Sequence, residues 1–92
     1  MWYVYIVECR DKVLYVGMTD NIERRFEEHL SGKGGHYTSY NRPNKILYKE
    51  EFVERLQAES REHQLKGWSR NKKLALVNRD FQSLRLMSAS RD

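Results

Sequence analysis

The chain has 92 residues, enough for one domain with a modest core and no room for a second fold. Hydrophobic residues make up 39% and aromatics 12%, which favours a folded domain, while 33% charged residues argue against membrane insertion. A net charge of +4, from 17 Lys and Arg against 13 Asp and Glu, makes a polyanion such as nucleic acid a candidate partner, with a solvated basic surface as the alternative.

Residues 2–9, WYVYIVEC, are aromatic and β-branched almost throughout, which reads as a strand buried on both faces. The single cysteine, Cys9, excludes an internal disulfide and a thiolate zinc cluster, and within that run it reads as a buried, inert thiol. The apolar run from Trp2 to Val7 is too short for a signal-peptide core and has no basic region before it. No segment approaches spanning length, so a reducing cytoplasm is the expected location and no membrane partner is expected.

Arg10-Asp11-Lys12 is a polar break suited to a hairpin, and Val13 to Val16 reads as the returning strand. Alternation puts Tyr3 and Tyr5 on one face and Val4 and Ile6 on the other, and across a hairpin Tyr15 could lie near Tyr5 on the same face, in a register that the sequence does not fix. Gly17 reads as a tight turn into the first helix, with Asp20 as its cap and Glu23 completing a capping box. Ile22, Phe26 and Leu30 then form a stripe facing the sheet, with Arg25 and His29 beside it. A strand tyrosine and a helix Arg and His can therefore meet at one rim.

Glycines in Ser31-Gly32-Lys33-Gly34-Gly35 stop that helix, and the polar loop after them carries His36, Arg42 and Lys45. Ile46 to Phe52 reads as a third strand, followed by helices from about Val53 to Trp68 and from Ser69 to about Asn78, with Gly67 at the junction. Arg79 to Asp92 shows no clear period and is expected to pack loosely or be disordered. The expected division is a domain over 1–78 and a tail over 79–92.

Glu62 is the anomaly of the second helix, because it falls on the stripe defined by Ala58, Leu65 and Trp68. An inward carboxylate needs a partner, a metal or a raised pKa. The simpler reading is an i, i+4 pair with Lys66, worth about 0.2–0.5 kcal/mol.

In combination these residues resemble the GIY-YIG nuclease superfamily. Tyr3-Val4-Tyr5 is similar to the first signature triplet, its tyrosine ten residues ahead of Tyr15-Val16-Gly17, which is similar to the second. The family's arginine, ten after the second tyrosine, matches Arg25, and its histidine matches His29. Its metal-binding glutamate matches Glu62, within an Ala-x-x-x-Glu-x-x-Leu-Lys context from Ala58 to Lys66. The resemblance spans residues 2–77 and is nearest the small stand-alone bacterial branch, where GKGGHYT and GWSRNKK also have counterparts. Tyr3 and Val4 replace Gly-Ile in the first triplet, and Val16 replaces Ile in the second. Met18 stands where the excision-repair nucleases of the family carry a lysine, a role left vacant or served by Lys33 or Lys66.

The resemblance implies an α/β (α+β) domain, with a small, three-stranded, mainly antiparallel sheet flanked by helices. It implies a divalent-metal-dependent endonuclease that hydrolyses DNA phosphodiester bonds, in repair or processing. A noncatalytic nucleic-acid-binding module on the same fold is the alternative, and an interaction domain with a dead site a third. By resemblance, Tyr5 handles the proton of the attacking water, Tyr15 positions water or phosphate, and Arg25 meets the phosphate. His29 holds Tyr5 or shares the proton transfer. Glu62 would ligate one Mg²⁺ or Mn²⁺, and a lone carboxylate suits one ion better than two.

Lys33, His36, Tyr37, Thr38 and Arg42 in the loop, and Lys66, Arg70, Lys72 and Lys73 on the helices, are candidate nucleic-acid contacts. Trp68 or Tyr40 could stack a base, and a solvated loop and helix face are the alternative. Expected partners are DNA, branched or single-stranded, and a targeting protein, with the chain itself a monomer.

Overall fold

A computed structural model describes residues 1–30 and 43–89; residues 31–42 and 90–92 lie outside it. At its centre is strand β1 (Trp2–Cys9), flanked antiparallel by β2 (Leu14–Thr19) and β3 (Pro43–Phe52) in the order β2-β1-β3. Four helices complete the described chain: α1 (Ile22–Leu30), α2 (Arg55–Lys66), α3 (Arg70–Val77) and α4 (Phe81–Ala89). This is the three-stranded antiparallel α+β architecture that the family resemblance implies.

β1 has a strand on each side and helices over each face, which is why its composition is apolar without a polar face. Its alternation divides the core in two. Val4 and Ile6 join Leu14, Val16, Ala58, Leu65 and Leu76 beneath α2 and α3. Tyr5, Val7 and Cys9 face the other way, packed by Tyr15, Ile22 and Phe26. None of the described helices is long and apolar enough to cross a membrane.

The β1–β2 hairpin turns without glycine. Lys12 takes a left-handed φ of 72°, which costs an L-residue about 1–2 kcal/mol. The turn is held by the Lys12 N–H on the Cys9 carbonyl at 2.9 Å and the Val13 N–H on Asp11 Oδ1 at 2.9 Å. From far along the chain, the Arg70 guanidinium donates to the Lys12 carbonyl.

Three expectations need correction. Gly17 is not a turn: it lies inside β2, paired opposite Tyr5. A Cβ there would stand 2.6 Å from Tyr5 Cζ, so the missing side chain is what lets the phenol ring lie across the strand. Nor is Asp20 the cap of α1. The strand runs on to Thr19, whose Oγ1 accepts the Asn21 N–H at 3.1 Å, and the cap moves one residue along. Asn21 Oδ1 accepts the Arg24 N–H at 3.0 Å, while Asp20 takes the Arg24 guanidinium at 2.7 Å.

The third is the segment read as aperiodic, which forms α4 from Phe81 to Ala89. Asp80 accepts both the Ser83 N–H at 3.2 Å and the Ser83 hydroxyl at 2.7 Å, and so caps it. Leu84 packs on the core while Phe81 and Leu86 stay exposed, so the helix has too narrow an apolar stripe to read as periodic.

Candidate active site

Tyr5 sits in the central strand and is only 2% exposed. Pairing with Gly17 leaves its ring free to lie over β2. Tyr15 stands opposite Val7, one pair along, and packs on the same face as Tyr5. α1 docks on that face through Ile22 and Phe26, which brings the half-buried Arg25 to the phenol. The Arg25 guanidinium donates a hydrogen bond to the Tyr5 oxygen.

The fourth contributor arrives from the other layer. α2 buries only Ala58 and Leu65, seven residues apart, so the helix touches the sheet along a narrow line. Glu62 lies between them with its side chain 14% exposed and its Oε2 3.6 Å from Lys66 Nζ. The i, i+4 pair therefore exists, but Lys66 is half exposed and such pairs contribute little. Meanwhile Glu62 lies close enough for its charge to act on the Tyr5 hydroxyl. Burial pushes Tyr5 up to about 12; the hydrogen bond and charge of Arg25 pull it down, and Tyr15 and Glu62 push it further up. Residues from two strands and two helices thus act on the ionisation of one phenol.

His29 has its backbone on α1, one turn past Arg25, and its side chain lies outside the description. Lys33, His36, Tyr37, Thr38, Tyr40 and Arg42 also lie outside the described residues. Of the basic run, Arg70 and Lys73 line a shallow cleft with Val13 and Leu14 at the hairpin. Burial pushes the Lys73 ammonium down from its ordinary value. Lys66 is exposed on the last turn of α2.

Lys72 does not fit the expected phosphate contact. It is 6% exposed, with its ammonium 4.5 Å from the centre of the Trp68 ring. Its stem completes the core and its charge rests on an aromatic face. Trp68 is correspondingly occupied: Arg61 lies 5.3 Å from its ring, so it is no free platform for a base.

A polar cluster that the sequence reading did not single out lies on the α2 side of β3. Arg61 grips Glu50 with both arms of its fork, Nε to Oε1 at 2.8 Å and Nη2 to Oε2 at 2.9 Å. Tyr48 donates to the same carboxylate at 2.7 Å. Burial alone would raise Glu50, yet the Arg61 fork and the Tyr48 hydroxyl hold it below the usual carboxylate value. The same burial and the Glu50 bond push Tyr48 up to about 12. Alternation along β3 carried the signal, because Tyr48, Glu50 and Phe52 share the inward face.

Among the described residues no three His, Cys, Asp or Glu side chains gather as a metal cage.

Comparison with known proteins places this geometry in context. The family model of the GIY-YIG catalytic domain matches residues 1–75. A UPF0213 protein of Staphylococcus haemolyticus is 44% identical over 75 residues, covering 82% of this chain and 92% of that protein. A UPF0213 protein of Clostridium perfringens is also 44% identical, covering 85% of this chain and 84% of that one. The solution NMR structure of a UPF0213 protein from Bacillus halodurans matches with a TM-score of 0.55 at 39% identity, covering 85% of this chain and 84% of that chain.

Proposed function

The chain belongs to the GIY-YIG nuclease family, and from that premise we propose that it is a divalent-metal-dependent endonuclease hydrolysing DNA phosphodiester bonds, in repair or processing. The observation that carries this reading is the Arg25 hydrogen bond to the Tyr5 oxygen, with Tyr15 and Glu62 near enough for their charges to act on the same hydroxyl.

Phosphodiester hydrolysis needs an attacking water, neutralisation of charge on the phosphoryl group and help for the departing oxygen. Arg25 offers a planar, permanently charged fork to the phosphate oxygens. Because it already donates to Tyr5, one cation serves both the phosphate and the phenol. Tyr5 takes the proton of the attacking water. A phenol held up at about 12 is protonated at neutral pH, so Tyr5 takes that proton only as the phenolate, after added positive charge beside it has let its own proton pass to solvent. Tyr15 orients the water or the phosphate, and His29 holds Tyr5 or shares the proton transfer.

The donor set fits a hard divalent cation. Glu62 supplies one enclosed carboxylate, and the absence of a larger acidic cluster among the described residues suits an ion that keeps most of its waters. Glu62 would hold one Mg²⁺ or Mn²⁺, which when bound supplies Lewis-acid charge to the phosphoryl and leaving oxygens. Neutralising Glu62 also removes one of the charges that push Tyr5 up.

Lys66, Arg70 and Lys73 contact backbone phosphates flanking the site, together with Lys33, His36, Tyr37, Thr38 and Arg42 from the loop. The protein acts as a cytoplasmic monomer on branched or single-stranded DNA, with a protein partner for targeting.

Incubating purified protein with single-stranded, duplex, flapped and branched DNAs, in Mg²⁺, Mn²⁺ or chelator, tests the reading. Cleavage of at least one substrate with either metal and none in chelator is expected. Binding without cleavage under every metal condition would replace the proposal with a noncatalytic nucleic-acid-binding module.

A further inference from the structure

The clamp between β3 and α2 has a mechanical consequence for the site one residue away. α2 buries only Ala58 and Leu65 and sets Arg55 over the Trp2 ring of β1 at 5.3 Å, while Leu56 on the same helix and Val53 just before it are exposed. So thin a line of apolar contact resists roll weakly by itself, and Arg55 on Trp2 holds only the first turn, which leaves the third turn to Arg61. At about 100° per residue, Arg61 and Glu62 lie about 50° to either side of that line. Arg61 turns to Glu50 on β3, and Glu62 turns towards Tyr5, whose ring covers Gly17 on β2 at the opposite edge of the sheet.

We propose that Arg61, forked onto Glu50, is a positioning residue that sets the roll of α2 and thereby holds Glu62 at the site. The proposal rests on Glu62 as the metal ligand. Its leverage is large: a roll of about 20° would carry a carboxylate about 6 Å from the helix axis through about 2 Å. A displacement of about 1 Å is enough to cost about 10²-fold in a reaction that depends on alignment.

The seat of Arg61 is built for stiffness. Two bonds run to Glu50, a third from Nη1 to Gln64 Oε1 at 2.8 Å, and the guanidinium lies 5.3 Å from the Trp68 ring centre. Glu50 is in turn fixed by the Tyr48 hydroxyl. A lysine at position 61 would keep the charge but lose the fork, and with it the resistance to roll.

The test is titration of Mn²⁺ into metal-free wild type, Arg61→Lys, Glu50→Gln and Glu62→Gln. Bound ion is followed by electron paramagnetic resonance well below each melting temperature. Arg61→Lys and Glu50→Gln should each weaken Mn²⁺ binding about 10-fold or more, as loss of a ligand's support typically does, and Glu62→Gln should abolish it. If Arg61→Lys does not fold, the isosteric Glu50→Gln carries the test. A clamp that only stabilises the fold would lower the melting temperature and leave the affinity of the folded protein unchanged. Wild-type affinity in both clamp variants, with Glu62→Gln deficient, overturns the positioning role and leaves the proposed function standing. Undiminished binding in Glu62→Gln, or none in wild type, overturns the metal reading itself and the clamp with it.

Discussion

Tyr5 belongs at once to the core and to the candidate site, and the two demands leave a trace in its ionisation. Burial first, then Tyr15 and Glu62, holds its proton against the pull of Arg25 and brings the hydroxyl up to about 12. The folded protein therefore binds this proton more tightly than the unfolded chain does. Its contribution to stability is complete below the ordinary value of 10.0 and is lost as pH rises through about 12. Tyr48 behaves in the same way at β3. Unfolding free energy should thus fall between about pH 10 and about pH 12, and Tyr5→Phe should make that fall shallower. Urea denaturation at about pH 9 and about pH 11.5 measures both slopes. Equal slopes would mean that Tyr5 ionises freely in the folded state. Strand alternation and one helical stripe made Tyr5, Tyr15 and Arg25 candidates for one rim, but only the observed register, Tyr5 opposite Gly17 and Val7 opposite Tyr15, puts the two tyrosines on one face. The fate of Lys72 was not, because its burial depends on where Trp68 comes to rest in the folded chain.

At the scale of elements, the register of β1 against β2 explains a glycine that the sequence makes look like a turn. Gly17 gives its volume to the Tyr5 ring, so Gly17→Ala forces a buried aromatic to move. The cost expected for such overpacking is about 1–3 kcal/mol in thermal unfolding. It should shrink when the ring is removed: Gly17→Ala in a Tyr5→Leu background should be nearly neutral. Additive costs would mean that ring and glycine do not meet. β1 was legible because a doubly buried strand has an unmistakable composition, and α2 because Ala58 and Leu65 recur at helical spacing despite Glu62 between them. The start of α1 and the whole of α4 were not. Thr19 shifts the cap of α1 by one residue, and α4 turns Leu84 into the core while Phe81 and Leu86 remain in solvent.

Over the whole molecule, some cations are held inside the fold while others stay within reach of solvent, even though Arg70 also donates to the Lys12 carbonyl and Lys66 pairs with Glu62. Arg61 and Lys72 are bound to Glu50 and Trp68, whereas Lys66, Arg70 and Lys73 lie at the surface or line the hairpin cleft. Replacing the latter three with Ala should flatten the salt dependence of DNA binding by up to about three units of log–log slope. An unchanged slope would make them solvating charges. One residue from each of β2, α1 and α2 acts electrostatically on Tyr5 of β1, and Glu62 is the member that a packing account explains least. Single-turnover cleavage of DNA at limiting Mg²⁺ by wild type and Glu62→Gln, with folding and DNA binding checked in parallel, therefore bears most directly on the proposed function. Removing the charge that holds the cation should lower the rate by about 10²-fold or more while the fold and the affinity for DNA persist. Cleavage by Glu62→Gln at the wild-type rate would contradict it.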